Sequence, residues 1–172
     1  MKNVVMGILL VMAYQDFKWR AIHWFLFPLL LLLVLLGQFL IADLSETIQS
    51  AGFNLIFIAS QLILLTTYFS IKNSRLVNIT KGLLGWGDVL FFINLCFFFS
   101  PVNFLIFYLG SLTFSIVLFL IYFKNSINTK IPFAGLQAIC LILVYGYSLY
   151  APYGYDWYSD DRIVRGLSIW IL

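Results

Sequence analysis

Charge is the scarcest feature of this chain. Only 10% of its 172 residues are Asp, Glu, Lys or Arg, whereas soluble domains carry roughly 25% charged residues. Apolar side chains make up 63% of the sequence and aromatic side chains 19%. These proportions exclude an ordinary water-soluble domain and predict a protein that lies in the lipid bilayer.

Cysteine and histidine are also rare. Cys96 and Cys140 each lie within an apolar run, without a second Cys, His or carboxylate at the spacing of metal ligands. We therefore expect both to be reduced packing residues, and we expect no metal or organic cofactor. The only histidine, His23, is expected to join Trp19 and Trp24 in an aromatic belt at the membrane interface. The alternative is a group that titrates near neutral pH and tunes a site.

Apolar residues fall in runs of about 18 to 22, the length that a helix needs to cross a hydrocarbon core of ~30 Å. The runs predict an all-α polytopic membrane protein with about six transmembrane helices. The predicted spans cover residues 2–17, 24–42, 53–71, 84–99, 102–123 and 132–150. We expect residues 1–150 to form a membrane-embedded domain and residues 151–172 to form an external interfacial tail.

Orientation follows from the cationic residues, because short loops rich in Lys and Arg stay in the cytoplasm. With both termini outside, seven of the ten cationic residues lie inside: Lys18, Arg20, Lys72, Arg75, Lys81, Lys124 and Lys130. These cations are dispersed among short loops instead of forming one patch. Nucleic acid is therefore not an expected partner, and the lipid bilayer is.

The same orientation leaves Asp16 and Asp88 as the only acids on the cytoplasmic side. Asp16 lies at the carboxyl end of the first predicted helix and Asp88 at the amino end of the fourth. Because these helices run in opposite directions, both carboxylates should meet at the same depth near the cytoplasmic boundary. Ionisable residues in such positions are functional candidates by default.

Two carboxylates that lie close together cannot both ionise easily, so the pair holds a single proton between them. This is the arrangement of aspartic proteases. A simpler interpretation remains open. Asp16 could pair with Lys18 or Arg20, and Asp88 could stabilise the start of a helix through its dipole.

The sequence around each aspartate favours the catalytic interpretation. Asp88 ends a G-x-G-D motif whose two glycines give the backbone room to bend and let a substrate strand approach the acid. Three segments resemble motifs of the prepilin peptidases, which are G-x-G-D membrane aspartic proteases. They are Asp16-Phe17-Lys18-Trp19-Arg20-Ala21-Ile22, Gly85-Trp86-Gly87-Asp88 and Ile131-Pro132-Phe133-Ala134.

The resemblance spans roughly residues 3–150 and implies that Asp16 and Asp88 are the catalytic pair. It further implies cleavage of leader peptides from single-span, type IV pilin-like precursors at the cytoplasmic face of the bacterial inner membrane. The chain departs from the family where His23-Trp24 replaces the usual Pro-Asn and where Leu90 replaces a common Lys. The cysteine-containing insertion of members that methylate the new amino terminus is absent between the first two predicted helices, so we expect cleavage without methylation.

Two alternative functions use the same acids. An ion-coupled carrier could employ them as an intramembrane relay, although the two halves of the chain show none of the correspondence that many transporters have. A catalytically inactive relative could serve in assembly, although both aspartates are intact. Four amides lie within the predicted spans: Gln38, Gln61, Asn94 and Gln137. They are expected to join helices by hydrogen bonds, with Asn94 as the expected exception.

Overall fold

The structure, a computed structural model, describes residues 2–39, 44–81, 84–123, 132–150 and 160. Within these ranges the fold is all-helical, as predicted. The helices are α1 Lys2–Trp19, α2 Leu26–Phe39, α3 Leu44–Lys72, α4 Trp86–Cys96, α5 Pro101–Leu118 and α6 Phe133–Tyr150. A single 3₁₀ turn, Ile79–Lys81, precedes α4, and a π-helical segment, Phe119–Phe123, extends α5.

Two helical segments, Ser45–Lys72 and Pro101–Ile121, are long and apolar enough to cross a membrane. The prediction of six full spans is not confirmed. Helix α4 has 11 residues, and at about 1.5 Å per residue it is about 16 Å long, well short of a hydrocarbon core of ~30 Å. It ends early because Ser100 is extended (φ −61°, ψ 159°) before Pro101, a residue that disfavours helical backbone before it.

Helix α3 is longer than its apolar run predicts. It begins at Leu44, whereas the predicted span begins at residue 53. Gly52 lies inside the helix in open space, so it does not interrupt the turn. Glu46 in the first turn is placed to stabilise the amino end of the helix.

The core is built around α4, which packs against α2, α3 and α6, while α1 packs most extensively against α6. Aromatic rings join the last three helices. Phe92 of α4 lies 5.6 Å from Tyr108 of α5 and 5.7 Å from Phe133 of α6, measured between ring centroids. These contacts fix the first turn of α6 beside the first half of α4.

Amide side chains satisfy the carbonyl groups at the carboxyl end of α4. Gln38 donates to the Phe97 carbonyl, and Asn54 donates to the carbonyls of Cys96 at 3.0 Å and Phe99 at 2.9 Å. Buried carbonyls without partners are costly, so these bonds anchor the short helix to α2 and α3.

The amino end of α5 lies at the same end of the bundle and is capped by a residue of the predicted tail. Asp160 accepts a hydrogen bond from the Ser100 hydroxyl at 2.5 Å. It also accepts from the backbone N–H groups of Val102 at 3.3 Å and Asn103 at 3.4 Å. A carboxylate is favourable at a helix amino end, so Asp160 stabilises the start of α5.

Candidate active site

Asp16 lies near the end of α1 and is 8% exposed. Its Oδ2 accepts a hydrogen bond from the backbone N–H of Gly135 at 2.6 Å. A Cβ atom at position 135 would lie 3.1 Å from Asp16 Cβ, Asp16 Oδ2 and Phe17 Cδ2. The absence of a side chain at Gly135 therefore allows α1 to approach α6 this closely.

Asp88 lies in the first turn of α4 and binds two backbone donors. Its Oδ2 accepts from the N–H of Gly85 at 3.0 Å, which caps its own helix. Its Oδ1 accepts from the N–H of Ala134 at 3.1 Å, which reaches across to α6. The prediction that Asp88 stabilises the start of its own helix thus applies to Oδ2. The other oxygen, Oδ1, connects α4 to α6.

The two glycines of the G-x-G-D motif have different surroundings. A Cβ at Gly85 would lie 3.2 Å from Asp88 Oδ2, whereas a Cβ at Gly87 would make an ordinary contact of 3.9 Å with Phe27 Cζ. Gly85 is extended, with φ −71° and ψ 149°. Gly85 is therefore the glycine whose lack of a side chain leaves room for the Asp88 carboxylate, and the approach of a substrate strand beside both glycines stays a prediction.

The aspartates converge on consecutive residues, because Ala134 binds Asp88 and Gly135 binds Asp16. The first N–H groups of a helix have no partner within it, and they carry the positive end of its dipole. Neighbouring Cα atoms are about 3.8 Å apart, so the amides hold the carboxylates within several Å of each other. At this separation the charge of Asp16 acts directly on Asp88.

The two cations of the first motif differ in their relation to Asp16. Lys18 donates from Nζ to the Tyr14 hydroxyl at 2.8 Å, and Nζ lies 5.0 Å from the centre of the Trp19 ring. Arg20 ends α1 in the left-handed region at φ 54°, and its N–H donates to the Asp16 carbonyl at 3.0 Å. Of the two, Arg20 acts electrostatically on Asp16.

His23 is connected to the residue that precedes Asp16. Its backbone N–H and its ring Nδ1 both lie 3.0 Å from Oε1 of Gln15, a buried residue. Because this oxygen can only accept, we assign the ring proton to Nδ1. Trp24 is 76% exposed and Trp19 is also exposed, and their place in a membrane-interface belt stays a prediction.

The remaining motif residues differ in how deeply they are buried. Ile22 is half-buried against the core, and Trp86 is exposed. Pro132 is fully buried, and Phe133 contacts Phe92, so Pro132 and Phe133 position the first turn of α6. Ile131 lies outside the described residues.

Sequence reasoning missed the two donors, Ala134 and Gly135. The available signal was Pro132, because proline at a helix start leaves the next N–H groups free for other partners.

The amides within the spans only partly match the prediction. Gln38 joins α2 to the Phe97 carbonyl, as expected, and Gln61 is exposed. Asn94 bonds within α4, since its Nδ2 donates to the Leu90 carbonyl at 2.9 Å. Gln137 is 1% exposed, and neither of its polar atoms has a partner in the described part of the chain. The prediction that Gln137 joins helices is therefore wrong, whereas Asn94 is the exception that was expected.

Within the described ranges, no three His, Cys, Asp or Glu side chains are grouped to hold a metal ion. Comparisons of the chain with protein-family models, curated proteins and solved structures yield no match. The chemistry must therefore be inferred from the paired carboxylates themselves.

Proposed function

We propose that this protein is a membrane aspartic endopeptidase of the prepilin peptidase kind. The observation that carries the proposal is the binding of Asp16 and Asp88 to consecutive amides, Gly135 and Ala134, at the start of α6. Two carboxylates from distant parts of the sequence share one helix end, and they repel each other unless a proton lies between them. This is the arrangement that peptide hydrolysis by paired aspartates requires.

The reaction uses one ionised and one protonated carboxyl group. The ionised group takes a proton from water as the water oxygen bonds to the peptide carbonyl carbon, and the protonated group gives its proton to the carbonyl oxygen. The group that took the proton from water then gives it to the amine nitrogen as the C–N bond breaks. The other group, now ionised, takes a proton from a hydroxyl of the tetrahedral intermediate, which becomes the new carboxyl group, and the pair returns to its starting state. The amides of Ala134 and Gly135 keep both groups in fixed orientation, which is where much of the rate advantage of an enzyme arises.

Apolar side chains on the outer surface of the bundle support a location in the membrane. Large hydrophobic residues that are well exposed include Leu32, Ile56, Ile63, Leu109 and Ile116, and such continuous apolar surface is rare on soluble monomers. We assign all six helices to the bilayer of a bacterial inner membrane, the shorter ones reaching part of the way, with both termini outside. Asp16, Asp88 and the cation Arg20 then lie toward the cytoplasmic face.

The substrates we assign are single-span, pilin-like precursors. Their apolar stem would stay in the lipid while the junction with the leader peptide reaches the carboxylates. Lys18 and Arg20 follow Asp16 closely in the sequence. His23 and Leu90 occupy positions where the family has other residues. We therefore expect leader recognition to differ in detail from that of family members.

The test is cleavage of a candidate precursor in proteoliposomes, followed on a gel. Asp16→Asn and Asp88→Asn should each lower the rate by at least about 100-fold, because acid–base groups contribute about that much. Asp160→Asn, at the opposite end of the bundle, serves as the control and should retain the wild-type rate. Undiminished cleavage in either site variant would overturn the proposal, and cation uptake lost in both would favour the carrier instead.

A further inference from the structure

Gln61 is a polar residue on the outer surface of an apolar helix. Of the four amides within the predicted spans, Gln61 alone is exposed. It lies 15 residues after Glu46 and 11 residues before Lys72, or about 22 Å and about 16 Å along α3 at 1.5 Å per residue. Half of a hydrocarbon core is about 15 Å thick, so the proposed membrane location puts Gln61 near the middle of the bilayer.

The hydroxyl groups of the same helix need no partner from another chain. Ser60 donates to the Phe57 carbonyl at 2.7 Å. Thr67 donates to the Ile63 carbonyl at 2.8 Å. Gln61, by contrast, makes no hydrogen bond within the described ranges. An amide that faces hydrocarbon without a partner costs free energy, so the position of Gln61 predicts a partner on another transmembrane helix.

Exposed side chains continue from Gln61 toward the carboxyl end of α3. Leu64, Tyr68 and Ile71 follow at intervals of three, four and three residues, the spacing of the contact positions in a left-handed helix pair. Their exposed fractions are 63%, 58% and 75%. This contact stripe, Gln61, Leu64, Tyr68 and Ile71, combines one amide with three large, mostly apolar side chains. A single polar residue in such a seam fixes the register and the number of helices that associate.

We propose that the contact stripe joins this protein to a second copy of itself. The inference rests on the membrane location in the proposed function and adds an interface to it. Copies inserted in the same orientation are related by a two-fold axis along the membrane normal, which brings Gln61 opposite the partner's Gln61 at the same depth. Because a side-chain amide contains both a donor and an acceptor, two of them satisfy each other. A helix of any other protein would need its own polar group at that depth.

Association in liposomes tests the interface, measured by energy transfer between labelled copies of the purified protein at increasing dilution in lipid. The wild type should dimerise. Gln61→Leu should raise the dissociation constant about 5- to 30-fold, the range expected for amide hydrogen bonds between transmembrane helices. Gln61→Asn should recover part of the association. Thr67→Val is the matched control, because it removes a hydroxyl already bound within its own helix and should leave association unchanged.

Cysteine cross-linking identifies the face of α3 that meets the second copy. Leu64→Cys should form a disulfide between copies on oxidation by copper phenanthroline and oxygen, because Leu64 lies on the contact stripe. Ala59→Cys should not, since Ala59 is also exposed but lies five residues away, about 140° around the helix from Leu64. The wild-type protein, which contains Cys96 and Cys140, gives the background.

Each outcome decides the role of Gln61. A wild type that stays monomeric, or a Gln61→Leu variant that dimerises as well as the wild type, overturns the inference. A monomeric wild type whose Gln61→Leu variant has a raised KM for the precursor overturns it in favour of a contact with the substrate stem. The proposed function fails separately, because a dimer that depends on Gln61 but cleaves no precursor refutes the peptidase and keeps the interface.

Discussion

A methyl group at position 135 tests the approach of α1 to α6 directly. In Gly135→Ala the new Cβ would lie 3.1 Å from the Cβ and Oδ2 of Asp16 and from Cδ2 of Phe17. Contacts this short force neighbouring atoms to move by a few tenths of an ångström. Asp16 is buried, so we expect its hydrogen bond to the Gly135 N–H, 2.6 Å long, to lengthen and weaken.

Two opposing terms set the magnitude for Gly135→Ala. Replacing glycine by alanine within a helix normally stabilises by about 0.5–1 kcal/mol. Loss of a hydrogen bond to a charged group costs about 1.5–3 kcal/mol. The net expectation is a decrease of up to about 2.5 kcal/mol in the free energy of unfolding, the upper value applying to complete loss of the hydrogen bond. The cleavage rate should fall at least about tenfold, because displacement by 1 Å can cost about 100-fold.

Gly146→Ala is the matched control on the same helix. Its Cβ would make an ordinary contact of 3.7 Å with Cε of Met6, so it should stabilise the fold and leave cleavage unchanged. Both variants are measured by unfolding in detergent and by precursor cleavage in proteoliposomes. Equal stability and equal activity of Gly135→Ala and Gly146→Ala would refute the steric reasoning.

Three further changes probe other contacts. Gly85→Ala would bring a Cβ to 3.2 Å from Asp88 Oδ2 and should slow cleavage several-fold, whereas Gly87→Ala should not; equal rates would contradict this. Arg20→Gly removes a left-handed non-glycine residue and should raise the free energy of unfolding by about 1 kcal/mol, and a decrease would show that the arginine makes stabilising contacts. Asp160→Asn weakens the cap of α5. It should lower the free energy of unfolding by about 0.5–2 kcal/mol and leave the cleavage rate normal. Thermal unfolding measures the last two.

The positions of the helices could be predicted from the sequence. An apolar run that is expected to lie in lipid must satisfy its backbone hydrogen bonds internally, which a helix does. The helix lengths could not be predicted. Helix α4 is short because Pro101 and the turn before it end the helix. Helix α3 is long because residues 44–52, a segment of mixed polar and apolar side chains, continue the helix despite Gly52. Hydropathy predicts whether a segment avoids water. The residues at caps and turns decide where its helix begins and ends.

Half of the candidate site was predictable for a similar reason. Asp16 and Asp88 are distinctive side chains, and the predicted helix directions bring them to the same end of the bundle. Their partners, the N–H groups of Ala134 and Gly135, belong to the backbone. Because almost every residue has such a group, the side chains at these positions do not identify them as donors. The need for a small residue at Gly135 depends on the distance between α1 and α6, which no local pattern contains. The isolation of Gln137 likewise depends on its neighbours in space.

The most direct test of paired catalysis compares Asp16→Asn, Asp88→Asn and the double variant in the same cleavage assay. Residues that act as one unit are strongly non-additive. If the two carboxylates form one catalytic pair, each single variant should fall to nearly the rate of the double variant. Independent effects that multiply in the double variant, or wild-type cleavage by either single variant, would contradict catalysis by this pair.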